Sequence, residues 1–296
     1  MSKLLIGGQA VIEGVMMRAP GSLAVAVRRP DGGVAVLRYP LRLLSERWRL
    51  LRLPVLRGTP ALIQSLAHGM RALQFSAAQA AAEDEAPNPF GMAVATAVAL
   101  AAGVGLFFFV PLLLTQGIAR LAPALGTGFA FNLVDGLIRL GVFLAYLWLI
   151  GSWSEIRRVF EYHGAEHMVV AAFEHGDPLT VVAARSHSTR HPRCGTNFLL
   201  VVVGVSVLVF SLIPGAWGFA GKFLSRLALL PLVAGVAFEI LRLGEKSHGR
   251  WLAVPGFWLQ GLTTRPPSDD QIEVALRALR EVLDMEGGAR GVYQAG

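Results

Sequence analysis

Charge is what this sequence has least of. Only 16% of its 296 residues are Asp, Glu, Lys or Arg, while 54% are hydrophobic. An ordinary soluble domain carries about 25% charged residues. The shortage is uneven. Nearly all charges fall before residue 91, between 151 and 197, or after 243, and the stretches between are almost bare of them. That separation is what a bilayer demands, and it excludes a purely soluble globular chain. Cysteine is nearly absent too. Cys194 stands alone, so no intrachain disulfide forms, which fits a reducing compartment and leaves one free thiol. There is no G-x-G-x-x-G and no Walker loop, so nucleotide binding has no support. No internal repeat is visible. No secretory signal peptide is legible, because Glu13 and several glycines break the first apolar stretch. The membrane spans are therefore expected to act as their own targeting signals.

The net charge is +7 and the pI about 10.3. No nucleic-acid motif accompanies this charge, so no nucleic-acid partner is expected. Basic residues flanking membrane spans explain it better, and they also meet anionic headgroups.

Four apolar runs read as membrane spans: residues 92–118, with Pro111 as a kink, then 131–150, 198–213 and 223–243. The third is short. In the second, Asp135 and Arg139 stand four apart on one helix face, readable as an intramembrane polar site or as a local ion pair. The polar regions are residues 1–90, 152–197 and 244–296. Spans one and two occupy 91–151, and spans three and four occupy 198–243. In the first region, residues 22–27 and 34–39 are strand-like around the turn signal Pro30-Asp31-Gly32-Gly33, which predicts a β-hairpin. Residues 60–82 carry a helical stripe of Leu62, Ile63, Leu66, Met70, Leu73 and Phe75, and 83–89 break it. Residues 251–262, with three aromatics around Pro255, are too short to span and read as interfacial. A closing helix is capped by Ser268 and Gln271, with Ile272, Ala275, Leu276, Leu279 and Leu283 as its apolar face.

Lysine and arginine set the orientation. Eleven precede the first span, five lie between spans two and three, and six follow the fourth; Arg120 and Lys222 stand alone in the other two loops. This bias puts both termini and the histidine-rich segment in the cytoplasm. The fold class is thus mainly α: a polytopic membrane protein with about four transmembrane helices and a cytoplasmic α+β portion holding an N-terminal hairpin.

Five of the seven histidines lie between residues 151 and 197. His163-Gly164-Ala165-Glu166-His167 is the H-x-x-E-H pattern, the inverted form of the zincin motif. On a helix, positions four apart share a face, so two imidazoles reach one metal ion. Glu166 then stands where a general base takes a proton from water. Gly164 costs the helix up to about 1 kcal/mol against alanine, and close approach of another backbone would explain it. A metal needs a third protein ligand. His191 and Cys194, in a tight loop ahead of the third span, are the first candidates; Glu161, Glu174 and Glu239 follow. The other reading is a hydrogen-bonded histidine cluster that orders a loop.

The N-terminal run Gly7-Gly8-Gln9-Ala10-Val11-Ile12-Glu13-Gly14-Val15-Met16-Met17-Arg18 is a second motif. Its glycines suggest tight turns or close backbone approach. Either Glu13 or Arg18 stands beside the histidine loop, or the run is a strand with a buried ion pair.

These two motifs, with His191-Pro192-Arg193-Cys194-Gly195-Thr196-Asn197-Phe198 and Leu259-Gln260-Gly261-Leu262-Thr263-Thr264-Arg265-Pro266-Pro267, extend over nearly the whole chain. In them the sequence resembles the YqhQ-like family of bacterial membrane proteins, predicted metal-dependent enzymes. That resemblance implies a multi-pass protein of the bacterial cytoplasmic membrane. The expected function is metal-dependent, most simply a hydrolase. His163, His167 and His191 or Cys194 would hold a divalent ion, zinc first, with Glu166 as catalytic base. The alternative is a non-catalytic membrane scaffold with a structural His/Cys cluster. Its amphipathic tail helix would then serve as a surface for a membrane-protein partner.

Overall fold

The computed structural model describes residues 4–41, 53–81, 89–125, 128–214, 217–246 and 250–287. The break expected at 83–89 lies outside them, except for Pro89. Four strands, β1 (Gly7–Val11), β2 (Gly14–Arg18), β3 (Ser22–Arg28) and β4 (Val34–Pro40), form one antiparallel sheet in chain order. The helices are α1 (Gly58–Ala80), α2 (Pro89–Val104), α3 (Val110–Leu121), α4 (Gly128–Ile150), α5 (Ser154–His175), α6 (Val181–Arg185), α7 (Thr196–Phe210), α8 (Phe219–Lys246), α9 (Arg250–Thr263) and α10 (Asp269–Met285).

The β3–β4 hairpin forms where the turn signal predicts it. Asp31 Oδ1 accepts the Gly33 amide at 2.8 Å, and Gly32 has a φ of 85°. The N-terminal motif is a second hairpin. It turns on Ile12 and Glu13, with Glu13 at a φ of 51°. Side chains alternate between the two faces of the sheet. Val15, Met17, Ala24 and Ala26 face α5 and α10, while Met16, Leu23, Val25 and Val27 face α1. Both faces are covered, so the middle strands read as continuous apolar runs rather than alternating ones.

α1 lies where the stripe placed it, but only the later part of the stripe packs inward: Leu73 and Phe75 lie half-buried against the sheet core. Its buried positions past the first turn are Gly69, Ala72 and Ser76, whereas Leu62, Ile63 and Leu66 are exposed. Small residues are needed there because Gln9 of β1 occupies the space a Cβ on Gly69 would fill. α10 starts on the predicted capping box, with the Ser268 amide donating to Gln271 Oε1 at 2.9 Å. All five residues of its expected apolar face are buried in the sheet core. That face is therefore spent within the chain and is no partner surface. Ion pairs and hydrogen bonds tie the same helix to the sheet and to α5: Arg38 with Glu281, Ser22 with Glu286, and Glu161 with Gln271.

Among the described residues, three stretches are long and apolar enough to cross a membrane: Phe90–Leu121, Gly128–Ile150 and Phe219–Leu243. Within the first, a π-turn at Gly105–Phe109 separates α2 from α3. Its cause is Pro111, which lacks an N–H and crowds the carbonyl four residues back, so the ladder slips by one residue. The fourth expected span is not among them. α7 has 15 residues, about 22 Å of helix against a hydrocarbon core of about 30 Å. It packs between α4 and α8, where Val207 fills the space beside Gly136.

Candidate metal centre

α5 holds the H-x-x-E-H residues on its buried side. The helix ends as the sequence suggests, on Gly176 with a φ of 80°. His163 and His167 stand one turn apart with ring centroids 4.4 Å from each other. A loop from α6 to α7 brings Cys194 across them, and its Sγ lies 3.3 Å from His163 Nε2. One ligand atom from each of His163, His167 and Cys194 falls within 4.8 Å of the others.

The main chain fixes how both imidazoles present themselves. His163 Nδ1 lies 2.8 Å from the Thr263 carbonyl oxygen, and His167 Nδ1 lies 2.6 Å from that of Thr189. A carbonyl only accepts, so each Nδ1 carries the proton and donates it. In the neutral rings each Nε2 then carries the lone pair, and that of His163 faces the Cys194 Sγ. His167 Nε2 is buried and has no hydrogen-bond partner among the described residues. Outward hydrogen bonds from the distal nitrogen are how metal-ligating histidines are ordinarily held. Burial and the nearby His163 push the His167 pKa down to about 3, so the ring stays neutral at ordinary pH. Burial pushes the Cys194 thiol up, against a 3.2 Å hydrogen bond from the Thr196 hydroxyl.

Glu166 is buried beside this cluster. Desolvation pushes its pKa up to about 7, opposed by His163 and by a hydrogen bond from the Gly8 amide. The β1 backbone fits closely over it: a Cβ on Gly8 would lie 2.9 Å from Glu166 Cγ and Cδ. Gly164 does the same on another side, since a Cβ there would fall on the Arg265 carbonyl oxygen. The close approach expected at Gly164 is thus made by the segment that also delivers the Thr263 carbonyl.

His191 is near but turned elsewhere. Its ring centroid is 5.8 Å from that of His167. Its Nδ1 accepts the Arg193 amide at 3.3 Å and its Nε2 faces Glu174 at 3.3 Å, so both nitrogens are engaged outside the His163–His167–Cys194 group. Its backbone is clamped by Gln260, which accepts from the His191 amide at 2.8 Å and donates to its carbonyl at 3.0 Å. Glu161 accepts from Gln271 at 2.9 Å, Glu174 pairs with Arg193, and Glu239 pairs with Arg57. None of these three acids joins the cluster. Glu13 pairs with Arg158 of α5 and accepts from the Tyr162 hydroxyl at 3.3 Å. The run does form strands, but its ion pair is half-exposed rather than buried, and Glu13 holds the β1–β2 turn against α5.

Four separated motifs therefore converge on one place. Gly8 covers Glu166, α5 carries the histidines, the Cys194 loop closes over them, and the end of α9 supplies Gln260 and the Thr263 carbonyl. Sequence reasoning missed the carbonyls of Thr189 and Thr263 and the Gln260 clamp. The only signal for the last two is that they lie inside a motif with no other apparent purpose.

The class defined by this arrangement is an apolar-helix protein whose polar body encloses a histidine–cysteine cluster. The profile of a protein family of unknown function, DUF1385, matches residues 53–285, and the chain belongs to that family. It is also 33% identical to the uncharacterized protein YqhQ of Bacillus subtilis (strain 168), over 95% of this chain and 92% of that one. No solved structure matches it.

Proposed function

We propose that the chain is a metal-dependent enzyme of the bacterial cytoplasmic membrane, a hydrolase, with its site at the cytoplasmic surface. His163, His167 and Cys194 would hold the ion. One observation carries this reading: three ligand atoms within 4.8 Å of each other, with both imidazoles locked by main-chain carbonyls. Two imidazoles and a thiol suit zinc, and three protein ligands are the number catalytic sites use. A divalent ion there supplies Lewis acidity and lowers the pKa of a bound water towards about 7.

The rest is done by the chain itself. Glu166, with its pKa near 7 and the Gly8 amide fixing its carboxylate, takes and returns a proton at a pH where both states are populated. The Thr189 and Thr263 carbonyls hold the ring tautomers. The β1 backbone keeps bulk water from the carboxylate.

Localisation is supported by closure of the fold. The N-terminal sheet, α5 and α10 share one core, which favours a chain that returns to the same side after α2–α4 and again after α7–α8. In this reading α7, though short, accompanies α8 as one hairpin, and the charge bias puts both termini in the cytoplasm.

The test is metal analysis of the purified full chain. Wild type should hold about one equivalent of zinc, manganese or iron, while His163→Ala, His167→Ala and Cys194→Ser each lose most of it. Equal, negligible metal in all four proteins would overturn the reading. A structural metal in a non-catalytic scaffold is the second reading, favoured by the near-complete burial of His167 and Glu166. Glu166→Gln separates the two. An enzyme loses function in cells with its metal retained, and a scaffold loses neither.

A further inference from the structure

A second cluster lies within the apolar helices, away from the histidines. Asp135 of α4 accepts from Arg139 at 2.7 Å and from Arg226 of α8 at 2.6 Å. The other partners of the two guanidiniums are neutral: Ser206 for Arg139 at 3.1 Å and Asn132 for Arg226 at 3.0 Å. One carboxylate thus serves two cations. The side chains of Arg226, Asp135 and Arg139 are only 1%, 2% and 7% exposed. Their net charge of +1 is therefore held among apolar helices, where an uncompensated ion is costly.

The cluster is also short of acceptors. Arg139 Nε and Arg226 Nε are both buried with no hydrogen-bond partner among the described residues. Aromatic faces offset part of the charge. Phe210 lies 5.2 Å from Arg139 Cζ and 5.3 Å from Arg226 Cζ, and the π-turn brings Phe108 to 5.1 Å from Arg139 Cζ. No aromatic face supplies what the two Nε–H groups lack, which is an acceptor oxygen.

The cations also form a column. Lys222 and Arg226 are the fourth and eighth residues of α8, and Arg139 is the twelfth of α4. At 1.5 Å per residue, Lys222 stands about 6 Å from its helix end and Arg139 about 18 Å from its own. Lys222 Nζ rests 4.4 Å from the Phe131 ring centroid, at the shallow end. The column starts near headgroup level and leads into the bundle.

We infer that Lys222, Arg226 and Arg139 form a binding site for a phosphate-class anion that enters the α4–α7–α8 bundle from the end away from the histidine cluster. Guanidinium forks and an ammonium are the groups that recognise such oxyanions. The phosphate comes either from an anionic lipid headgroup or from solution.

The experiment uses the purified full chain in neutral detergent and reads thermal midpoint and native mass. One arm adds inorganic phosphate at constant ionic strength, with chloride as control. The other adds phosphatidylglycerol, with phosphatidylcholine as control. Wild type should gain stability and a single bound adduct in at least one arm, and the responding arm identifies the source. Lys222→Gln, at the rim of the network, should weaken binding at least tenfold. Asp135→Asn removes the internal counter-charge and should tighten binding severalfold; a self-contained ion-pair network would lose stability and leave anion response unchanged. The proposal is overturned if neither arm stabilises wild type, or if Lys222→Gln and Asp135→Asn respond as wild type does.

Discussion

The Arg265 carbonyl oxygen sits where a side chain on Gly164 would have to be. Arg265 is held there by its own amide, which donates to the Phe160 carbonyl at 2.9 Å. The contact pins the segment after α9 to the turn of α5 that carries His163. Gly164→Ala should improve helix propensity and still destabilise the protein. The gain is at most about 1 kcal/mol, and overpacking against backbone costs about 1–3 kcal/mol. His163 would lose its fixed tautomer as the Thr263 carbonyl is pushed away. A lower melting midpoint with reduced metal content is expected. An unchanged midpoint and full metal content would show that the segment yields freely.

Metal removal should act through the same residues. An ion bound only by the folded chain stabilises it by mass action. A strong chelator should therefore lower the melting midpoint of wild type and leave His167→Ala unmoved. Re-addition of zinc should restore wild type alone. Equal chelator sensitivity in both proteins would place the metal elsewhere.

Much of this was legible in the sequence, and the parts that were not share a cause. The H-x-x-E-H spacing, the capped tail helix and the β3–β4 turn signal are local patterns, and each forms as read. The β1–β2 hairpin was legible only as a possible turn or strand, because β2 is covered on both faces and lacks the alternation that marks a strand, while β1 is rich in glycine and largely uncovered. The buried side of α1 was read only in part: Leu73 and Phe75 do pack against the sheet, but close packing selected Gly69, Ala72 and Ser76 for the fully buried positions, and small residues do not announce a core. Cys194 and His191 were equal candidates by sequence. What separates them is long-range: Gln260, 69 residues from His191, fixes the loop so that the thiol turns in. Arg226 was not singled out at all, because nothing in α8 itself announces a partner on α4.

Topology offers a check independent of the metal. If α7 accompanies α8 across the bilayer, reporter fusions after Leu121 and after Pro214 should both report the outer side. Fusions in α6 and after Met285 should report the cytoplasm. An α7 that stays in one leaflet would move the second reporter to the cytoplasmic side, and the charge bias would then have misled. Arg120 and Lys222, the lone basic residues of the two short loops, predict the first outcome.

Gln260 tests whether the loop is held from a distance. Its side chain is fully buried and grips the His191 main chain from both ends of its amide. Gln260→Ala leaves the His191 amide buried without an acceptor, a cost of about 1–3 kcal/mol, before any cavity is counted. The His191 carbonyl keeps the Cys194 amide at 3.3 Å, so the loop should loosen rather than unfold. The expected result is a lower melting midpoint, lower metal occupancy and faster modification of Cys194 by a maleimide. Gln260→Glu retains the acceptor for the amide but loses the donor, and buries a charge, so it should be no better than alanine. If Cys194 reacts at the wild-type rate in both variants, the thiol is placed by the loop's own turn, and the fourth motif needs another explanation.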